Sequence, residues 1–339
     1  MSAAAFPGGA DDRRRAMLRT AMGPAIAAAL ANPRVIEIMV NPDGALRLDI
    51  LGQGRVDTGD RLDASQVERI IRLVASHARA EVHGDAPIVS AELPASIDGR
   101  AGERFEGVLP PVATGPCFSI RKPATRLYTL ADYVTDGIIA PAAAEQLRAA
   151  VIRRDNILIA GGTSTGKTTL ANALLAEMAS LDERVILIED TRELQCPAPD
   201  TVALRTRPGN SSGAGSVTMA DLVRSTLRLR PDRIIVGEVR GPEALDMLKA
   251  WNTGHPGGIA TVHANSALRA LHRIEQLVQE AVVTVPRELI AGAIDLVVFI
   301  AGRGLDRRVT TIARVDGLDA RGGYALTDLI TPAQPQGDN

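Results

Sequence analysis

Nine consecutive residues, Gly161-Gly162-Thr163-Ser164-Thr165-Gly166-Lys167-Thr168-Thr169, hold glycines, hydroxyls and one lysine in the order G-x-x-x-x-G-K-[ST]. Glycines let successive backbone N–H groups turn toward one anion, and a helix starting there would add the positive end of its dipole. On this reading the whole stretch cradles a nucleotide's phosphates, Lys167 reaches the β- and γ-phosphates, and the Thr168 hydroxyl ligates Mg²⁺; a kinase, a switch GTPase, a motor and a binding module all remain open. A cradle binds but does not hydrolyse, so the next residues sought are carboxylates. Arg184-Val185-Ile186-Leu187-Ile188-Glu189 and Arg233-Ile234-Ile235-Val236-Gly237-Glu238 are each an apolar run ending in glutamate. One such carboxylate, Glu238, could hold a Mg²⁺-bound water while Glu189 orients or deprotonates the attacking water, and the reverse assignment stays open. The alternative is structural: either glutamate could cap a helix or pair with Arg192 or Arg240. His263 closes a third apolar run, Ile259-Ala260-Thr261-Val262, and would read the γ-phosphate; His255 lies eight residues upstream in a Gly/Pro-rich loop with no zinc-like spacing.

These residues need a sheet whose strand ends converge. Asn156 to Ala160 reads as a buried strand and Leu170 to Met178 as a helix, which gives the cradle its strand-loop-helix setting. From Pro141 onward, strands at 156–160, 184–189, 201–206, 233–238 and 257–263 alternate with helical stretches, the pattern of a parallel sheet covered on both faces. Ligands of such sheets bind at the carboxyl ends of the strands, where Glu189, Glu238 and His263 fall. The fold class expected is therefore α/β, with a smaller α+β unit before it. In that unit a helix through Ala31 precedes a hairpin of 35–40 and 45–50 around Asn41-Pro42-Asp43-Gly44. An amphipathic helix from Ala64 to Ala80 and strands near 88–93, 104–109 and 117–121 complete it. The expected boundaries are an N-terminal domain over 12–123, a linker of hinge-like composition containing a short helix over 124–137, a phosphate-binding domain over 138–330 and a frayed tail over 331–339. Arg207 to Ser216 reads as a polar loop, either plain surface or a contact to a neighbouring subunit.

A formal net charge of −2 over 339 residues gives no general attraction to nucleic acid, and 2% aromatic residues leave little for base stacking, so direct nucleic-acid binding is not expected. Two cysteines without a C-x-x-C pair argue against a disulfide framework and fit a reducing cytoplasm. No signal peptide pattern or span of roughly 20 apolar residues is visible, which leaves a soluble or peripherally membrane-associated protein.

Four stretches together, Gly161 to Thr169, Ile188-Glu189-Asp190-Thr191-Arg192-Glu193-Leu194, Leu229 to Gly241 and Thr253-Gly254-His255 to Asn265, resemble the Walker A, Asp box, Walker B and His box of the type II and type IV secretion ATPases. The resemblance covers most of the chain, including Asn41 to Gly44 and Gly102 to Pro111, and is strongest to the conjugative branch. It implies a homo-hexameric ring of RecA-like domains capped by N-terminal domains, with ATP bound between the two. It also implies partners in the inner-membrane components of a secretion or conjugation apparatus, at the cytoplasmic face of that membrane. In such proteins basic residues of the N-terminal domain reach the phosphates, and the matching positions are Arg104 and Arg121. Ser164 stands where many family members carry glycine. Two further readings remain: a type II secretion or type IV pilus ATPase, against which the missing four-cysteine cluster counts, and a nucleic-acid translocase on the same core. A scaffold that binds ATP without hydrolysing it is disfavoured by Lys167, Glu189, Glu238 and His263 occurring together.

Overall fold

The computed structural model describes residues 10–78, 80–94, 102–123, 127–207 and 215–330. The tail over 331–339 and residues 208–214 of the polar loop lie outside the described residues. The chain forms two units, dividing between residues 125 and 126.

In the first unit, helix α1 (Ala10–Ala31) leads into β1 (Val35–Val40), β2 (Ala45–Ile50), β3 (Gly54–Arg61), α2 (Ala64–Ala78), β4 (Ile88–Glu92), β5 (Arg104–Val108) and β6 (Cys117–Arg121). The strands make one antiparallel sheet in the order β3-β2-β1-β6-β5-β4. Alternation puts Ile38, Val40, Phe105, Phe118 and Ile120 on one face, and a register shift after Val35 brings that residue to the same face, against Ile26 of α1 and Val67, Ile70, Ile71 and Val74 of α2. Glu37, Glu106 and Ser119 take the other face, where the Ser119 hydroxyl donates to Glu37 and that of Ser90 to Glu106.

Two features depart from the expectation. α1 is interrupted at Gly23, whose φ of 74° is left-handed, because Pro24 lacks the N–H that would continue the hydrogen-bond ladder. The hairpin also continues into a third strand, β3, exposed at every position. As an edge strand β3 is held by backbone pairing to β2 and by charge, with Asp57 3.2 Å from Arg61 and 3.6 Å from Arg47.

The second unit runs α3 (Leu130–Thr135), α4 (Pro141–Arg153), β7 (Ile157–Gly161), α5 (Lys167–Ala176), β8 (Arg184–Glu189), β9 (Asp200–Arg205), α6 (Met219–Thr226), β10 (Arg233–Val236) and α7 (Glu243–Asn252). It closes with β11 (Ile259–His263), α8 (Ala267–Gln279), α9 (Arg287–Ala293), β12 (Leu296–Ala301), β13 (Arg308–Leu318) and β14 (Tyr324–Asp328). The sheet order is β14-β13-β12-β7-β11-β10-β8-β9, parallel from β12 through β9 and antiparallel over β12, β13 and β14. Ile157 and Ile159 of β7 face a core built with α3, α4 and α5, whereas Leu158 and Ala160 face α6, α7, α8 and α9. A strand buried on both faces must be apolar throughout, as Ile157-Leu158-Ile159-Ala160 is. Leu130 and Tyr133 of α3 are fully buried in the first of these cores, although their surroundings in sequence read as a connector. A Thr129–Asp132 capping box starts this short helix.

Among the described residues, no helix is long and apolar enough to cross a membrane.

Candidate functional site

β7 ends at Gly161, and its register partner on β11 is His263. Beyond β11 lies β10, continued by Gly237 and Glu238, and beyond that β8, ending in Glu189. Backbone bonds prolong the ladder past the strand ends, Gly237 N–H donating to Ile188 O at 2.9 Å and Val239 N–H to Thr261 O at 2.9 Å. The lysine of the glycine-rich loop, the histidine and both glutamates thus stand on successive strands along one carboxyl edge.

The loop itself needs left-handed backbone at two places: Gly166 has φ 94° and Ser164 φ 63°. Gly166 adopts that region at no steric cost, whereas Ser164 holds it against about 1 kcal/mol of Cβ strain. Helix α5 begins at Lys167, so Lys167 and Thr168 belong to its first turn rather than preceding it. Thr163 and Ser164 are exposed, and Thr165 is tied down through its hydroxyl to Gly162 O at 3.0 Å. The first-turn N–H groups of α5 have no acceptor within the helix, which leaves an anion-binding end. Among the described residues no hydrogen bond engages the Thr168 hydroxyl, so a hard cation beside bound phosphates would find an oxygen ligand there.

Lys167 is only 8% exposed. Its ammonium donates to Gly161 O at 3.1 Å and Gly162 O at 2.9 Å, and lies 3.3 Å from His263 Nδ1. An ammonium has no lone pair, so Nδ1 must accept and the neutral ring carries its proton on Nε2. That nitrogen sits 2.9 Å from Glu238 Oε1. Burial, then the neighbouring Lys167 charge, holds the imidazole below its ordinary range, against the opposing pull of Glu238, which keeps it neutral around pH 7. The other oxygen of Glu238 accepts from Arg240. Lys167, His263, Glu238 and Arg240 therefore stand in one line of close contacts, although Glu238 Oε1 has no partner of hydrogen-bond geometry, with His263 still 44% exposed at its middle.

Glu189 differs in kind. It is 4% exposed, and its Oε1 accepts from the backbone N–H of Glu193 at 2.8 Å and Leu194 at 2.7 Å. Those bonds favour the ionised form, but burial outweighs them and raises its pKa to about 7. Gly237 lies against it; a methyl group there would come within 3.0 Å of Glu189 Cγ.

Asp190 accepts from the Thr206 hydroxyl at 2.9 Å, a loop-shaping bond. His255 is directed elsewhere: its Nδ1 meets Pro231 O at 3.0 Å, next to the amino end of β10 and so at the opposite edge of the sheet. In the first unit Arg104 and Arg121 are direct register partners on β5 and β6, flanked in the same row by Glu92 and Glu37. Like charges directly opposed across a sheet repel, and among the described residues neither guanidinium has a hydrogen-bond or ion-pair partner.

One residue near the loop escaped the sequence reading. Arg307, in the connection from β12 to β13, lays its guanidinium against Gly166: a methyl group there would meet Arg307 Cζ and Nε at 2.9 Å and Nη1 at 3.2 Å. A single arginine in a Gly- and Arg-containing turn, some 140 residues from the loop, offers no pattern by which to find it.

The model of the type II/IV secretion system protein family matches residues 61–311. The chain is 47% identical over 302 residues to a conjugal transfer protein TrbB of Rhizobium radiobacter, covering 88% of this chain and 90% of that one. It is 33% identical over 306 residues to the type IV secretion system protein VirB11 of Bartonella henselae, covering 80% and 83%. Among solved structures, that of the pilus retraction motor PilT with bound ADP superposes with a TM-score of 0.58 at 20% identity, over 90% of this chain and 80% of the other. That likeness is one of fold: a RecA-like nucleotide-binding domain preceded by a smaller α+β domain.

Proposed function

The chain belongs to the type II/IV secretion system protein family, and from that premise we propose that it is a Mg²⁺-dependent ATP hydrolase, the cytoplasmic motor of a conjugative type IV secretion system. The observation that carries the catalytic part is the chain Lys167–His263–Glu238 lying beside a glycine-rich loop that opens α5. A γ-phosphate entering this edge takes the Lys167 ammonium away from the Gly161 and Gly162 carbonyls, and His263, freed at Nδ1, senses its arrival while Nε2 stays on Glu238. Thr168 and Glu238 are the residues that would hold Mg²⁺ with its water shell, and the cation would supply charge neutralisation at the phosphates. Glu189, poised near pH 7 and without a cationic partner as close as Arg240 is to Glu238, is the better general base for the attacking water. Arg104 and Arg121, register partners on β5 and β6, are the basic residues of the first unit that this reading assigns to the phosphates. The working form is a homo-hexamer docked on inner-membrane components of the apparatus; its identity to the TrbB protein over nearly the full length favours the conjugative system over a pilus or type II machine.

The test is phosphate release from ATP with Mg²⁺, with nucleotide affinity measured in parallel. Lys167→Ala should lose both, and Glu238→Gln should keep binding within a few-fold while turnover drops by 10² or more. Wild-type turnover in both variants would sink the assignment.

A further inference from the structure

Lys167, His263, Glu238 and Glu189 succeed one another from β7 toward β9, on one side of the glycine-rich loop. Arg307 reaches the loop from the other side of β7, where β12 and β13 lie. Its position is electrostatically costly as it stands. The guanidinium rests on Gly166, the residue that caps the N-terminus of α5, where the helix dipole is already positive and the Lys167 ammonium is the next residue. Among the described residues its side chain meets no carboxylate and no other acceptor, and its Nε is buried without a hydrogen-bond partner. The hydroxyl of Tyr133, fully buried and also unpartnered, feels this charge: its titration is pushed up by burial and pulled the other way by Arg307. A cation held against a helix N-terminus, beside a lysine and without an acid, lacks an anion.

We infer that Arg307 is a nucleotide-binding residue: it donates to the phosphates nearer the nucleoside, on the side of the loop opposite the γ-phosphate machinery. The inference rests on the reading of this loop as a nucleotide site and adds to it a residue and a polarity for the ligand. A nucleotide whose terminal phosphate faces His263 and Glu238 has its α-phosphate and nucleoside on the β12 side, where Arg307 waits. The contact is then made equally by ATP and ADP. It also compensates the clustered positive charge only when nucleotide is present.

Two readouts separate this role from a structural one. In the full-length protein, Arg307→Ala should weaken binding of ATP and of ADP by the same factor, about tenfold, the scale of a lost charge-assisted hydrogen bond. Without nucleotide, the same variant should melt at or above the wild-type temperature, because a repelling charge has been removed from the end of α5. Arg307→Gln, which keeps bulk against Gly166 but not the charge, should behave alike, and Arg307→Lys should recover part of the affinity. Unchanged affinity for both nucleotides, a loss confined to ATP, or an apo melting point that falls in step with affinity would each overturn the inference. A wild-type protein that binds neither nucleotide, indistinguishable from Lys167→Ala, would overturn the nucleotide reading itself and this inference with it.

Discussion

Glu189 and Glu238 look alike in sequence, each a glutamate ending an apolar strand, yet burial and partners make them different acids. Glu238 is held by His263 and Arg240 in one network, while Glu189 is buried with its Oε1 on two backbone N–H groups. A carboxyl whose folded pKa is raised from 4.5 to about 7 favours the folded state most fully below pH 4.5, and that advantage is lost as pH rises through 7. Glu189→Gln keeps an acceptor for the Glu193 and Leu194 N–H groups without the charge. Its melting point should therefore match wild type near pH 4 and exceed it above pH 7, by an amount equivalent to ~2–3 kcal/mol. A variant that melts below wild type at pH 8 would show that the carboxylate, not the carboxylic acid, is the form the fold wants. If Glu189 is the base, wild-type turnover should rise through the same pH range. The positions of these residues were legible because the G-x-x-x-x-G-K-[ST] order and the strand-end rule depend only on local sequence. Their division of labour was not, since it is decided by what surrounds each carboxylate. Arg307 was invisible for the same reason: it reaches Gly166 through the fold and not through any spacing.

At the scale of elements, patterning served where burial was two-sided or strictly alternating, and failed where exposure was complete. β7, β8 and β10 are continuous apolar runs and α2 is regularly amphipathic, and all stand where the sequence put them. β3 has no buried position and so no period to read; only its pairing with β2 makes it a strand. Gly23-Pro24 breaks α1 inside a stretch whose alanines read as continuous helix. α3 is the short helix expected within the linker, and only packing shows that its Leu130 and Tyr133 belong to the core of the second unit. The approach of β11 to α7 gives a sharper test. Trp251 of α7 is buried over Gly258, its Nε1 donating to Ile234 O at 3.1 Å, and a Cβ at Gly258 would come within 2.0 Å of that nitrogen. Gly258→Ala must push the indole off its carbonyl, at about 3 kcal/mol or more, with a red-shifted emission as the ring is exposed. Wild-type stability in that variant would mean that α7 can slide without loss.

For the molecule as a whole, the proposed ring makes activity a property of concentration. If each nucleotide site is finished by a neighbouring subunit, phosphate release per chain should climb with protein concentration, in step with the hexamer fraction seen by analytical ultracentrifugation. Constant specific activity across a range where the protein remains a monomer would end the ring proposal. The two units invite one more experiment because of where the chromophores fall. The single tryptophan and all three tyrosines, Tyr128, Tyr133, Trp251 and Tyr324, belong to the second unit, and the first has none. Ultraviolet emission is therefore a private signal of the nucleotide-binding unit, while far-ultraviolet dichroism hears both. Denaturation followed by the two together reports, without any label, whether the halves come apart as one cooperative body or take their leave separately.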